Sequence, residues 1–250
     1  MPRRSPPEVT LCGTCPLRDR ETFREFTDEE IQFIQRFKTG ELVVQPGGTV
    51  VLDGHDSPHI FTVLSGWAIR FKELENGDRQ IVNFAFPGDL VGMQASMFER
   101  MEHTVEALSH VTLCVFERAR IWDVFRNYPG LSFDMTWLAA KEELFVAHHL
   151  VAIANRSARE RIAYLLAFLA RRATTTGLVE DWCDLKIPMT QQQIADTMAL
   201  SLVHTNKTLK ELERNGVIHW QRRQLTIKDR GQLEEIAGEL PPDVLPRPFV

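Results

Sequence analysis

The chain has 250 residues, 44% hydrophobic and 25% charged, with a formal net charge of −5. That length allows two compact domains with their own cores, and the composition excludes a disordered or fibrous protein. No apolar run approaches the roughly 20 residues of a membrane span, and Met1-Pro2-Arg3-Arg4-Ser5-Pro6-Pro7 lacks the apolar segment of a secretory signal, so the cytoplasm is the expected location and no membrane the expected partner.

Residues 1–20 are rich in Pro and Arg and are expected to be irregular unless something ties them down. Cys12 and Cys15 form a CxxC within them; in a reducing compartment four cysteines are not a disulfide framework. Thr27-Asp28-Glu29-Glu30 opens an amphipathic helix, with Thr27 as N-cap and Ile31, Phe33 and Ile34 as its apolar face, ending near Lys38-Thr39-Gly40.

From Glu41 to about Glu117 the pattern changes to short β-rich runs: 42–44, 49–52, 60–64, 67–71, 80–84 and 111–116. Pro46-Gly47-Gly48, Asp53-Gly54, Ser65-Gly66, Asn76-Gly77 and Pro87-Gly88-Asp89 separate them, and Asn-Gly is a strong hairpin signal. The reading is an antiparallel β-roll or barrel.

After Arg118 the period is helical to about Arg172. Trp137, Ala140, Leu144, Ala147, Val151 and Ala154 recur at alternating spacings of three and four, the seam of a coiled coil, and are assigned to a homodimer interface. Leu138, Phe145 and Ile153 form a second stripe able to pack on the roll; the alternative is a helix buried within one subunit. Ser157-Ala158-Arg159-Glu160 is a capping box that starts a new helix and marks a hinge.

Thr190 to Met198 reads as a short helix, Ala199-Leu200-Ser201 as a tight turn, and Leu202 to about Arg214 as a second helix stopped by Asn215-Gly216: a helix-turn-helix. Thr205, Thr208, Leu209 and Leu212 share the inward face of that second helix, and Val203, His204, Asn206, Lys207, Lys210 and Arg214 are the candidates for DNA contact. Asn206 suits adenine, Lys207 guanine, Val203 a thymine methyl, and Lys210 and Arg214 phosphates; the alternative is a merely solvated basic face. Two β-like runs, 217–220 and 224–227, form a wing with Arg222 and Arg223 at its tip for phosphates. Between Ser201 and Arg230 seven basic residues face three acidic ones, so this part can face double-stranded DNA despite the negative total.

The order roll, long helix, helix-turn-helix and wing resembles the Crp/Fnr family of transcription regulators over roughly residues 24–230. The marks are Val63-Leu64-Ser65-Gly66, the Gly77 to Ile81 hairpin, Phe86-Pro87-Gly88-Asp89-Leu90-Val91-Gly92, and Leu212-Glu213-Arg214-Asn215-Gly216-Val217-Ile218 after the helix-turn-helix. The resemblance implies an α+β chain: a cysteine-bearing segment (1–23), a cyclic-nucleotide-binding-like sensory roll (24–128), a dimerisation helix (129–156), a winged helix-turn-helix (157–232) and a tail (233–250). It implies a regulator rather than an enzyme, with RNA polymerase as a further partner.

Two departures from the family bear on the signal. Met93 and His103-Thr104 stand where cyclic-AMP-binding members carry a ribose-binding glutamate and a phosphate-binding Arg-Ser pair, so the arginine fork for phosphate is missing. Val203 and Lys207 replace the acidic residue and arginine of the best-known recognition helices, so the usual operator cannot be assumed.

The oxygen-sensing Fnr branch is the better match. It holds an iron-sulfur cluster with a CxxC, a third cysteine and a fourth on a late strand of the roll. Cys12, Cys15 and Cys114 match three of these positions, and Glu21 stands at the remaining one as a tentative ligand. Three thiolates suffice for a three-iron cluster, or for a four-iron cluster completed by Glu21, water or another ligand. A dithiol switch among the three cysteines, or a small-molecule effector, is the alternative. A cupin-like metalloenzyme would need clustered ligands, and His55, His59 and His103 lack that spacing. Cys183, beside Trp182, is read as structural, and His148-His149 as a solvated or packed pair, since adjacent helical residues point about 100° apart.

Overall fold

The structure, a computed structural model, describes residues 9–221, 224–242 and 245–249. Among them no helix is long and apolar enough to cross a membrane. After a 3-10 turn at Cys12–Thr14 the chain forms α1 (Asp28–Phe37) and the strands β1 (Lys38–Val44), β2 (Thr49–Val51), β3 (His59–Ser65), β4 (Ala68–Glu73), β5 (Arg79–Ala85) and β6 (Leu90–Val91). Next come α2 (Met93–Phe98), β7 (Thr104–Ala107), β8 (Val111–Glu117), α3 (Ile121–Asn127), α4 (Pro129–Asn155) and α5 (Ala158–Thr175). The remainder comprises α6 (Gln191–Met198), α7 (Leu202–Arg214), β9 (Ile218–Gln221), β10 (Gln224–Ile227) and α8 (Arg230–Ala237).

The roll is two antiparallel four-stranded sheets, ordered β1-β8-β3-β6 and β2-β7-β4-β5. Alternation puts Val44, Val63, Val111 and Leu113 of the first against Val51, Ala68, Ala85 and Val105 of the second, where they form one buried cluster. Each large apolar side chain removed from water there contributes about 1.5–3 kcal/mol. Gly66 makes the β3–β4 turn at φ 77°; a Cβ there would sit 2.1 Å from the His110 carbonyl oxygen, so no other residue fits.

Local signals act where expected. Thr27 and Glu30 close a capping box on α1, and Ser157 and Glu160 do so on α5. α1 ends at Phe37, because Lys38 leaves the helix in extended conformation and starts β1. The expected strands omit β6 and β7, whose short runs lack alternation long enough to read, and the helix α2 between them. The expected tail from residue 233 begins inside α8, which Asp229 caps by accepting from the Gln232 N–H at 2.9 Å.

α4 is two-faced. Leu131, Met135, Leu138, Phe145 and Ala152 are buried on its inner side. The residues assigned to a dimer seam lie elsewhere: Ala140, Ala147, Val151 and Ala154 are exposed, Trp137 and Leu144 half-buried. Phe133, Val146 and Leu150 are exposed on the same helix. Of the stripe expected to pack on the roll, Leu138 and Phe145 are buried and Ile153 is half-buried. His149 is buried with its ring edge-on to Tyr164 and Phe168, and Nδ1 lies 3.1 Å from the Tyr164 hydroxyl, so this histidine is packed.

One apolar core crosses from the roll into the carboxy-terminal half. Trp67, Ile69, Phe84 and Phe86 of the roll join Phe145 of α4, the buried length of α5, and Ile194, Leu209, Leu212 and Leu225 in a single cluster.

Candidate functional sites

The helix-turn-helix is built by caps and one left-handed residue. Thr190 and Gln193 close a capping box on α6, Ala199 turns the chain at φ 51°, and the Ser201 hydroxyl accepts from the His204 N–H to start α7. Thr205, Thr208, Leu209 and Leu212 are buried, which fixes the rotation of α7. Val203 is 81% exposed, and His204, Lys207, Lys210 and Arg214 are exposed with it. Asn206 differs: it is half-buried, and its Nδ2 donates to Gln191 Oε1 of α6 at 2.8 Å. Spacing within α7 could not reveal that partner on another helix. Behind α7, Glu213 accepts from the Trp220 N–H at 2.9 Å and meets His219 Nδ1 at 3.0 Å, docking the β9–β10 wing. Arg222 and Arg223 lie outside the described residues.

The amino-terminal segment is tied down at several points. Thr10 N–H donates to Glu41 Oε1 at 2.9 Å and Cys12 N–H to Gln35 Oε1 at 2.6 Å. The Lys38 ammonium, its side chain only 2% exposed, donates to the Thr10 carbonyl at 2.8 Å and to Glu41 at 2.7 Å, and its charge acts on Cys114. Cys12, Cys15 and Cys114 line one apolar cavity of about 30 Å³ with Leu17, Phe26 and Phe249. Glu21 is exposed and is not among the residues lining that cavity. Cys183 is exposed, so its side chain packs into no core; its N–H donates to Asp181 at 2.7 Å.

Burial pushes the Cys12 and Cys15 thiols above their ordinary range and Cys114 up to about 12, while Lys38 works in the opposite direction on all three. In kind, three soft sulfurs from distant segments, with a cation beside them, suit an iron-sulfur cluster. The cavity as packed, about 30 Å³, is smaller than such a cluster, so holding one requires its walls to part. Accordingly, among the described residues no group of three or more His, Cys, Asp or Glu stands ready to hold a metal ion.

A second cavity, of about 180 Å³, lies between the roll and α4 and is lined by Met93 and His103 together with Arg70, Asp89 and Glu142. Arg70 donates to Glu142 Oε2 at 2.8 Å and to the Leu90 carbonyl at 2.6 Å, a partner that sequence spacing does not disclose. Burial, then the charge of Arg70, lowers the His103 imidazole to about 4, so it is neutral at pH 7.

Residues 35–128 match the cyclic nucleotide-binding domain family and residues 160–236 the Crp-like helix-turn-helix domain family. The chain is 27% identical over 231 residues to the transcriptional activator protein FnrL of Cereibacter sphaeroides, covering 91% of this chain and 92% of that one. It is 29% identical over 234 residues to the nitrogen fixation regulation protein FixK of Bradyrhizobium diazoefficiens, covering 93% and 96%. In fold it is similar to a CRP-family transcriptional regulator from Thermus thermophilus, with TM-score 0.70 and 22% identity over 81% of this chain and all of that one. FixK2 from Bradyrhizobium japonicum gives TM-score 0.67 and 19% identity, covering 80% and 97%.

A sensory-type antiparallel roll, a long helix and a winged helix-turn-helix define a DNA-binding transcription regulator rather than an enzyme. The chain belongs to the Crp/Fnr family of such regulators.

Proposed function

We propose that this regulator responds to oxygen or redox state through Cys12, Cys15 and Cys114, acting as the thiolate ligands of an iron-sulfur cluster. The observation that carries the reading is the convergence of Cys12 and Cys15 of the amino-terminal segment and Cys114 of β8 on one cavity beside Lys38. When bound, such a cluster supplies a redox centre whose potential depends on hydrogen bonding and exposure. The fourth position falls to water or an external ligand, since Glu21 is exposed on the surface. The chain's own part is to gather the sulfurs, keep water out with Leu17, Phe26 and Phe249, and offset thiolate charge with Lys38. A disulfide switch is the weaker reading, because exchange needs free thiolate and all three thiols are shifted upward, whereas a metal deprotonates its thiol ligands outright.

On the same reading the protein works as a homodimer through Trp137, Ala140, Leu144, Ala147, Val151 and Ala154, of which Ala140, Ala147, Val151 and Ala154 are exposed and Trp137 and Leu144 half-buried. Val203, His204, Asn206, Lys207, Lys210 and Arg214 face the major groove, with Arg222 and Arg223 at the wing tip, and RNA polymerase is the machinery acted upon. The proposed units run 1–23, 24–128, 129–156 and 157–232, the last extended through α8 to Ala237 before the tail.

The test is anaerobic reconstitution with ferrous iron and sulfide, followed by absorption spectra, iron and sulfide assays, and binding to a duplex selected from a random pool. Loading that fails in Cys12→Ala and Cys114→Ala, with affinity altered on exposure to air, supports the proposal. Colourless, iron-free protein overturns it. One observation favours a small-molecule effector as a second reading: the buried polar atoms Arg70 Nε and His103 Nε2 have no hydrogen-bond partner among the described residues, and both residues line the 180 Å³ cavity.

A further inference from the structure

Residues 245–249 return from the carboxy-terminal half to the cysteine cavity. Arg247 pairs with the amino-terminal segment as a short parallel bridge to Phe23. Its N–H donates to the Thr22 carbonyl at 2.8 Å, and its carbonyl accepts from the Arg24 N–H at 2.8 Å. Two residues on, Phe249 is 7% exposed and packs edge-on against Phe23 and Phe26, with ring centroids 5.1 and 4.8 Å apart. Phe249 is a wall of the cavity that holds Cys12, Cys15 and Cys114.

The Arg247 guanidinium meets the carboxy-terminal half through Asp89, in the Pro87-Gly88-Asp89 turn of the roll. Arg247 donates to Asp89 Oδ1 at 2.6 Å, and Arg172 of α5 pairs with Oδ2. All three side chains are almost wholly buried. Gly88 has no room for a side chain: a Cβ there would lie 2.5 Å from the Phe23 ring and 3.3 Å from Phe249. α5 itself carries the winged helix-turn-helix, with which it shares a continuous core.

We propose that this strap, Arg247 to Phe249, is the link that carries the state of the cysteine cavity to the DNA-binding half. A group larger than about one water cannot enter the cavity without displacing a wall. Phe249 is the wall joined through two residues to Arg247. Displacing it pulls Arg247 from Asp89 and leaves Arg172 holding that carboxylate alone, which changes how α5 is held against the roll. Coupling then passes through contiguous packed and ion-paired groups rather than through the hinge at Ser157. The proposal rests on the cavity being the sensing site, but the strap can be tested without the natural signal.

The test uses the full chain with Cys183→Ser, exposed to methylmercury chloride, a small soft electrophile that forms a mercury-sulfur bond with loss of the thiol proton and chloride. Amide hydrogen exchange is followed by mass spectrometry. With mercury on the cavity thiols, exchange in residues 245–249 and in α5 around Arg172 is expected to rise about tenfold. In Phe249→Ala, and in a chain lacking residues 245–250, α5 exchange is expected to be the same with and without mercury. The truncated chain keeps the test decisive should one variant fold poorly, circular dichroism reporting which is folded.

An α5 response of equal size without the strap, or none in the parent chain, overturns the proposal. If mercury reaches α5 through the strap while iron, sulfide and air leave DNA affinity unchanged, the strap stands and the iron-sulfur reading falls.

Discussion

Arg172 and Arg247, one from the helix that carries the DNA-reading domain and one from the carboxy-terminal strap, hold opposite oxygens of the same buried carboxylate, Asp89. Burial pushes that carboxyl up, but the two guanidiniums and the Phe86 N–H, which donates at 2.7 Å, more than offset it and hold Asp89 well below the ordinary carboxylate range. Two buried cations thus share one hydrogen-bonded carboxylate, with Glu142 the next negative charge that acts on them. Asp89→Asn removes the only carboxylate, among the described residues, that both cations hydrogen-bond, and is expected to destabilise the fold by about 3–5 kcal/mol. Urea denaturation measures it; a loss under about 1 kcal/mol would mean water reaches the triad.

Lys210 is exposed on the outer face of α7, one turn beyond Asn206. A phosphate contact there acts through counterion release, so Lys210→Ala is expected to weaken binding to all duplexes alike. The slope of log affinity against log salt should become shallower by about 0.9. Asn206→Ala, by contrast, should cost about 1–3 kcal/mol at one base position and little elsewhere. Fluorescence anisotropy across a salt series separates the two. An unchanged slope in Lys210→Ala would place α7 outside the groove.

Val151 is 54% exposed in the single subunit and lies on the open face of α4. Val151→Glu should therefore leave the subunit folded yet place two carboxylates against each other in a dimer, with each unpaired buried charge costing several kcal/mol. Sedimentation velocity is expected to show a monomer, with unchanged circular dichroism. A variant that stays dimeric would move the interface to another surface.

Burial, reinforced by the charge of His148, lowers the His149 imidazole to about 4, whereas an unfolded histidine titrates near 6.5. Between those values the unfolded chain binds a proton that the folded chain does not, so stability rises with pH across this window and is complete above it. At pH 5 the group should have cost about 2 kcal/mol relative to pH 7.5, and His149→Phe should remove that share of the pH dependence. Urea midpoints at the two pH values test this; equal pH dependence in variant and parent would contradict it.

The architecture was legible because it is written in local chemistry. Thr27, Ser157 and Ser201 cap helices where a hydroxyl precedes an apolar repeat, and Gly66 and Gly77 turn strands where a Cβ is excluded or a positive φ is required. The inward face of α7 follows from spacing alone, since one helix fixes its own periodicity. Short β7 and α8 were not legible, because four residues, or eight without a strong repeat, carry too little pattern.

The sequence by itself determined the succession of roll, long helix and helix-turn-helix, the inward face of α7 and the identity of the three cysteines. Only the tertiary structure decided that those cysteines share a cavity with Lys38 and Phe249, that Glu21 is exposed, that Asn206 is held by Gln191, and that Asp89 serves two arginines. The physical reason is range: caps and periodicity act within a few residues, whereas Arg247 meets Asp89 158 positions away, through packing that no local pattern encodes.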